Sequence, residues 1–230
     1  MKLAIVARVA FALAYPPLAY WATRDGSGPA AALALGDLAL VFLVDPLLRG
    51  RVWAWGGAIA LAIGLQALAR TEVAQMLLLV PPVLFLALLA WLFGRSLRAP
   101  REALITRIVA ALHDTPSRQL SAGLLRYSRR VTAAWALLLA MLAIVNGVLA
   151  FAEVPGGVLV RLGHVPAWGI PREQGSLLAN LVNYGLVGVF FVGEYLLRGC
   201  FVRERPYRHF FDFVHRMGRL GPAFWRDLLR

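Results

Sequence analysis

The stretch VAQMLLLVPPVLFLALLAWLF, residues 73–93, runs for 21 residues without a charge. Coiled as an α-helix it is about 32 Å long, close to the ~30 Å hydrocarbon core of a bilayer. Its apolar residues form one unbroken run and do not alternate with polar ones, so it reads as a membrane helix and not a barrel strand. Arg95, Arg98 and Arg101 follow it directly. A long apolar run closed by arginines reads as a span that ends at a cytoplasmic face.

Five further stretches have the same character, at about 3–22, 29–48, 52–69, 131–152 and 176–197. The expected fold is therefore an all-α integral membrane protein with about six transmembrane helices, in one membrane domain over 1–230. Arg49-Gly50-Arg51 and Arg70-Thr71-Glu72 leave room only for tight hairpins, so 1–93 should form an up-down four-span bundle. Residues 94–130 are expected as a cytoplasmic amphipathic segment, 131–198 as two further spans, and 199–230 as a basic amphipathic tail. The first run is expected to be a retained span and not a cleaved leader, because Arg8, Pro16-Pro17 and Tyr20-Trp21 all disagree with a signal peptide.

Composition agrees. Hydrophobic residues make up 60% of the chain and charged residues 16%, too little polar surface to cover a soluble domain. The net charge of +12 has a topological explanation. With both termini in the cytoplasm, 20 of the 24 basic residues fall inside and 4 outside, a strong positive-inside asymmetry. Lys2 is the sole lysine, a bias typical of GC-rich bacterial genes, so the expected location is a bacterial inner membrane. Membrane lipids are expected partners and nucleic acid is not. Cys200 is the single cysteine, so no intramolecular disulfide can form.

Within 94–130, Leu104, Ile105, Ile108, Val109 and Leu112 recur at helical spacing, with Arg101 and Arg107 off the stripe. This predicts an amphipathic helix at the membrane surface, ended by Asp114-Thr115-Pro116, then a second short helix from Ser117 to Tyr127. In the tail, Phe210, Phe211, Val214 and Met217 form a similar stripe.

Acidic and amide groups in the spans are the candidate polar intramembrane site: Asp37, Asp45, Asn180, Asn183 and Glu194. Asp45 and Glu194 each have an arginine four residues on, the spacing of an interfacial ion pair. Asp37 has no such local partner. Asn180 and Asn183 read first as interhelical hydrogen bonding, and Asn183 shares a helix face with Glu194 eleven residues away. Pro16-Pro17 and Pro81-Pro82 should kink their helices. Gly56, Ala60 and Gly64 form a small-residue ridge suited to close helix contact. The chain has no phosphate loop, nucleophile elbow, HExxH or paired cysteines, so no catalytic residue, cofactor or metal is expected. His113-Asp114 is the best catalytic-looking pair outside the spans, and His209 and Asp212 in the tail, three residues apart, have the wrong spacing.

Leu104-Ile105-Thr106-Arg107, Tyr127-Ser128-Arg129-Arg130-Val131-Thr132 with Trp135, and Phe191-Val192-Gly193-Glu194-Tyr195 with Arg198 together resemble an uncharacterised family of bacterial inner-membrane proteins. Its genes lie in aryl-polyene and xanthomonadin-type clusters, beside ketosynthases, dehydratases and acyl carrier proteins. The resemblance covers roughly the C-terminal half and implies a role in polyene- or fatty-acid-like lipid synthesis. The expected function is a non-catalytic accessory that anchors an acyl carrier protein or a ketosynthase-type enzyme to the membrane. Its candidate docking residues are Arg98, Arg101, Arg107, Arg126, Arg129, Arg130, Arg203, Arg205 and Arg208. The alternatives are a carrier or flippase-like component for an acyl lipid product, and an integral-membrane acyl-transfer enzyme.

Overall fold

The computed structural model describes residues 2–98, 100–201, 215, 218–221, 224, 225 and 227. Arg203, Arg205, Arg208 and the expected tail helix through Phe210–Val214 and Met217 lie outside the described residues. So do some side chains within the last helices, including those of Asn180 and Arg198.

The described chain is helical apart from a two-residue parallel pair, β1 (Glu153–Val154) and β2 (Ile170–Pro171). The helices are α1 (Lys2–Asp25), α2 (Gly28–Leu48), α3 (Val52–Leu68), α4 (Val73–Leu78), α5 (Val80–Ser96), α6 (Leu104–Leu112), α7 (Ala122–Ala152), the one-turn α8 (Val158–Arg161), α9 (Arg172–Asn180) and α10 (Val187–Phe201). A π-helical segment, Leu181–Leu186, joins α9 to α10.

Among the described residues, four helices are long and apolar enough to cross a membrane: Leu3–Asp25, Gly28–Leu48, Val73–Ser96 and Ala122–Ala152. That is the signature of a multi-pass membrane protein. Val52–Leu68 is equally apolar but shorter. The outward-facing side chains fit hydrocarbon. Phe42 is 74% exposed, Val52 85% and Leu137 74%, an arrangement that water would penalise and lipid favours.

Two compact units share the chain, Met1–Pro81 with Ala150–Pro171 and Pro82–Leu149 with Arg172–Arg230. In the first, α2 packs against α1, α3 and α4. Its core is mostly alanine: Ala22, Ala30, Ala31, Ala34 and Ala74 with Leu78. Small side chains let backbones approach closely, which is how apolar helices gain contact in the absence of a hydrophobic driving force. The α1–α2 turn uses Gly26 at φ +70°, and Ser27 caps α2 by accepting from the Ala30 N–H. The buried Gln75 donates to the carbonyls of Ala22 (3.3 Å) and Ser27 (2.6 Å), tying the start of α4 to that turn. Arg161 pairs with Glu72. The hairpins at 49–51 and 69–72 are tight, as their length requires, with Gly50 at φ +67°.

Close approach occurs elsewhere than expected. A Cβ on Gly28 would lie 2.0 Å from the Ala69 carbonyl oxygen, so only glycine fits where α2 begins beside the end of α3. A Cβ added at Gly56 or Gly64 would meet nothing within 4 Å, and Ala60 is exposed. The 56/60/64 ridge therefore meets no helix among the described residues.

The two proline pairs also differ. Helix assignment lapses at Leu79, just before Pro81-Pro82, where the Leu79 N–H bonds back to Met76 O in a tightened turn. Proline at 81 and 82 cannot donate to the carbonyls four residues earlier, which explains the break. Pro16-Pro17, in contrast, lies inside an uninterrupted α1.

In the second unit Trp135 of α7 packs between Phe93 of α5 (centroids 6.3 Å apart) and Phe190 of α10 (4.8 Å, edge-on). The helix expected over 117–127 starts only at Ala122 and is not separate from the span it leads into. Ser117–Gln119 forms one 3₁₀ turn, Ser121 caps the next helix through the Leu124 N–H, and α7 then runs unbroken for 31 residues. At 1.5 Å per residue α7 is about 46 Å long, roughly 16 Å more than the hydrocarbon core requires.

Candidate functional site

The residues of interest gather where α6 lies against the first turns of α7. Hydroxyl groups make this joint. Ser96 accepts from the Leu104 N–H (3.0 Å) and donates to Phe93 O (2.7 Å), fixing the entry to α6. Thr106 and Ser128 share a hydrogen bond of 2.7 Å. Thr132 accepts from the Ile105 N–H at 3.3 Å and donates to Ser128 O at 2.8 Å. Thr106, Ser128 and Thr132 are all buried. The buried face of α6 thus includes Thr106 along with Leu104, Ala110 and Leu112, whereas Ile105, Ile108 and Val109 are only half-buried. The apolar stripe located the helix, but hydroxyls set its rotation against α7.

His113 and Asp114 close α6. Asp114 is left-handed (φ 49°), its N–H bonds to Ala111 O, and the Thr115 N–H reaches Ala110 O, a Schellman ending. Their backbone groups terminate α6.

Several arginines surround this joint. Arg98, Arg101, Arg126, Arg129 and Arg130 are exposed. Arg129 donates to Leu97 O at 2.7 Å, Arg107 pairs with Asp227 at 2.5 Å, and Arg95 lies over the Trp91 ring at 4.5 Å. Arg126 and Arg130, one helical turn apart, line a groove of ≈ 560 Å³ with Tyr127, Phe190, Gly193 and Glu194. Here the Tyr127 hydroxyl donates to Glu194 Oε1 at 3.2 Å. Two groups of candidates that sequence spacing kept apart, Glu194 from the spans and Arg126 and Arg130 from the cytoplasmic segment, are therefore neighbours.

The other polar candidates have separate settings. Asn183, in the π segment, forms a reciprocal amide pair with Asn146 of α7: Asn146 Nδ2 donates at 2.8 Å and Asn183 Nδ2 returns a bond of 3.0 Å. Asp45 pairs with Arg49 at 2.9 Å along its own helix. Asn180 ends α9. Asp37 is buried in α2, and its Oδ2 has no hydrogen-bond partner. Among the described residues no three His, Cys, Asp or Glu side chains converge as metal ligands do.

Sequence reading missed Asn146, because a lone asparagine in an apolar span carries no local pattern. It also missed the packing role of Ser96. Thr106, Ser128, Thr132, Tyr127 and Glu194 come from three stretches distant in sequence, 104–107, 127–135 and 191–195, which meet at this one joint. Comparison with family models, with curated proteins and with solved structures finds no match to the chain.

Proposed function

We propose that this chain is a non-catalytic membrane anchor in the synthesis of a polyene- or fatty-acid-like lipid, and that it holds an acidic soluble partner, an acyl carrier protein or its ketosynthase, at the inner membrane. The carrying observation is the set of exposed arginines, Arg98, Arg101, Arg126, Arg129 and Arg130, presented on a hydroxyl-fastened α6–α7 joint. A rigid cationic face raises the local concentration of acidic partners and steers their approach. Acyl carrier proteins are acidic, which makes them the natural occupant.

The topology belongs to this reading. Six spans with both termini in the cytoplasm place the α6–α7 joint inside. The ~16 Å of α7 beyond the hydrocarbon requirement accommodates its arginine-bearing first turns in the headgroup layer and cytoplasm. Membership of the pigment-lipid cluster family is part of the proposal and is supported by the meeting of its three motifs.

Affinity purification from native membranes in mild detergent, followed by mass spectrometry of bound proteins and lipids, tests it. Recovery of an acyl carrier protein or ketosynthase that is released by high salt is the expected result. Recovery of a stoichiometric acyl lipid and no such protein would replace anchoring with the carrier reading.

A further inference from the structure

In the first unit, a groove of ≈ 720 Å³ runs between α2 and α3, within the size range of small-molecule sites. On α2 its wall recurs every three or four residues, from Pro29 through Leu33 and Asp37 to Leu40, and Ala58, Leu61 and Leu65 face it from α3. Eleven residues of rise make the wall about 16 Å long. The lining is hydrocarbon except for Asp37 of α2 and Gln66 of α3. Asp37 is 9% exposed and its Oδ2 is buried without a partner. An unpaired carboxyl oxygen in an apolar span is costly and calls for a hydrogen-bond partner.

We infer that this groove binds a long-chain aliphatic molecule bearing a hydroxyl group, taken up from the membrane, with the hydroxyl hydrogen-bonded to Asp37. The chemistry selects the class. A hydroxyl both donates and accepts, so it satisfies the carboxyl whether protonated or ionised. A plain alkyl chain leaves Oδ2 unpaired. A phosphate or carboxylate would bring a second anion to the same point, and an ammonium would have to shed its hydration at mid-span. The inference is independent of the arginine face, since Asp37 and its groove lie within the first unit alone.

Tyr15 supplies the competing explanation. It lies eleven residues before Gly26 and Asp37 eleven after, so the two stand at one level of the packed α1–α2 hairpin, and among the described residues the Tyr15 hydroxyl is the other buried side-chain polar atom without a partner. A direct Tyr15–Asp37 bond would occupy the carboxyl and leave nothing for a ligand.

The experiment uses the full chain in lipid nanodiscs with a photoactivatable hexadecanol as probe. Cross-linked peptides are mapped for the wild type and for Asp37→Leu, Asp37→Asn and Tyr15→Phe. Labelling should fall on residues 29–40 and 58–69, and excess hexadecanol should reduce it on the order of fivefold more than hexadecane does, the discrimination one net hydrogen bond provides. Asp37→Leu should erase that preference while the variant remains folded, because it removes an unpaired group. Asp37→Asn and Tyr15→Phe should keep it. Equal competition by alcohol and alkane, or a preference unchanged in Asp37→Leu, would show an ordinary lipid seam and overturn the inference. A preference that is absent in the wild type and appears only in Tyr15→Phe would assign Asp37 to Tyr15 and overturn it as well.

Discussion

The hydroxyls of Thr106 and Ser128 lie 2.7 Å apart, both buried, at the centre of the contact between α6 and α7. They fasten α6 to the first turns of α7, which carry Arg126, Arg129 and Arg130. Replacing Ser128 leaves the Thr106 hydroxyl without this partner, at a cost of about 1–3 kcal/mol; replacing Thr106 is milder, since Ser128 still donates to Leu125 O at 3.2 Å, and replacing both by groups of similar shape approaches neutrality. Thr106→Val and Ser128→Ala should each lower the thermal midpoint of the detergent-solubilised protein, and the double variant should fall well short of the sum. Additive losses would show that the pair does not act as a unit.

Asn146 and Asn183 offer a second cycle, at membrane depth. Each donates to the other, so the pair is fully reciprocal. Single changes to leucine should cost about 0.6–1.7 kcal/mol, the range for interhelical bonds in membranes, and the two should couple. Unfolding in a mixed-micelle denaturant titration measures both quantities.

Glu194 accepts from the Tyr127 hydroxyl. Tyr127→Phe removes the donor and keeps the ring, so a loss of about 1 kcal/mol is expected. Glu194→Gln retains an acceptor oxygen and should be milder than Glu194→Leu. If glutamine and leucine were equally harmful, charge rather than the tyrosine bond would be what matters at this position. The same unfolding titration decides.

Glycine substitutions separate a real close approach from an apparent one. Gly28→Ala would drive a methyl into the Ala69 carbonyl, with nothing but backbone to yield, and should destabilise by several kcal/mol or abolish accumulation in the membrane. Gly56→Ala has open space and should be neutral or slightly stabilising. Expression level and monodispersity in detergent report the contrast.

The long spans were legible because an uncharged run of some 20 residues has few other physical interpretations. The break near Pro81-Pro82 was legible too, since proline removes specific donors. The ridge at Gly56, Ala60 and Gly64 misled, because small residues record that close approach is possible and not which face receives it. Residues 117–127 looked like a separate helix, yet Tyr127 to Val131 contains no residue that stops a helix, and arginine continues one readily. Asp45–Arg49 was visible because both partners sit on one helix, four residues apart. Thr106–Ser128, Tyr127–Glu194 and Asn146–Asn183 were not visible as pairs, since spatial proximity between distant hydroxyls, carboxyls and amides leaves no periodic trace.

Anchoring of an acidic partner by the arginine face is tested most directly by binding of a purified acyl carrier protein to the full chain in nanodiscs of neutral lipid, comparing wild type with Arg126→Gln/Arg129→Gln/Arg130→Gln across a salt series. Saturable wild-type binding should weaken steeply as salt shortens the screening length below ~8 Å, with the triple variant at least about tenfold weaker and nearly salt-independent. Binding that is absent in the wild type, or equal in the triple variant at every salt concentration, would contradict anchoring by this face.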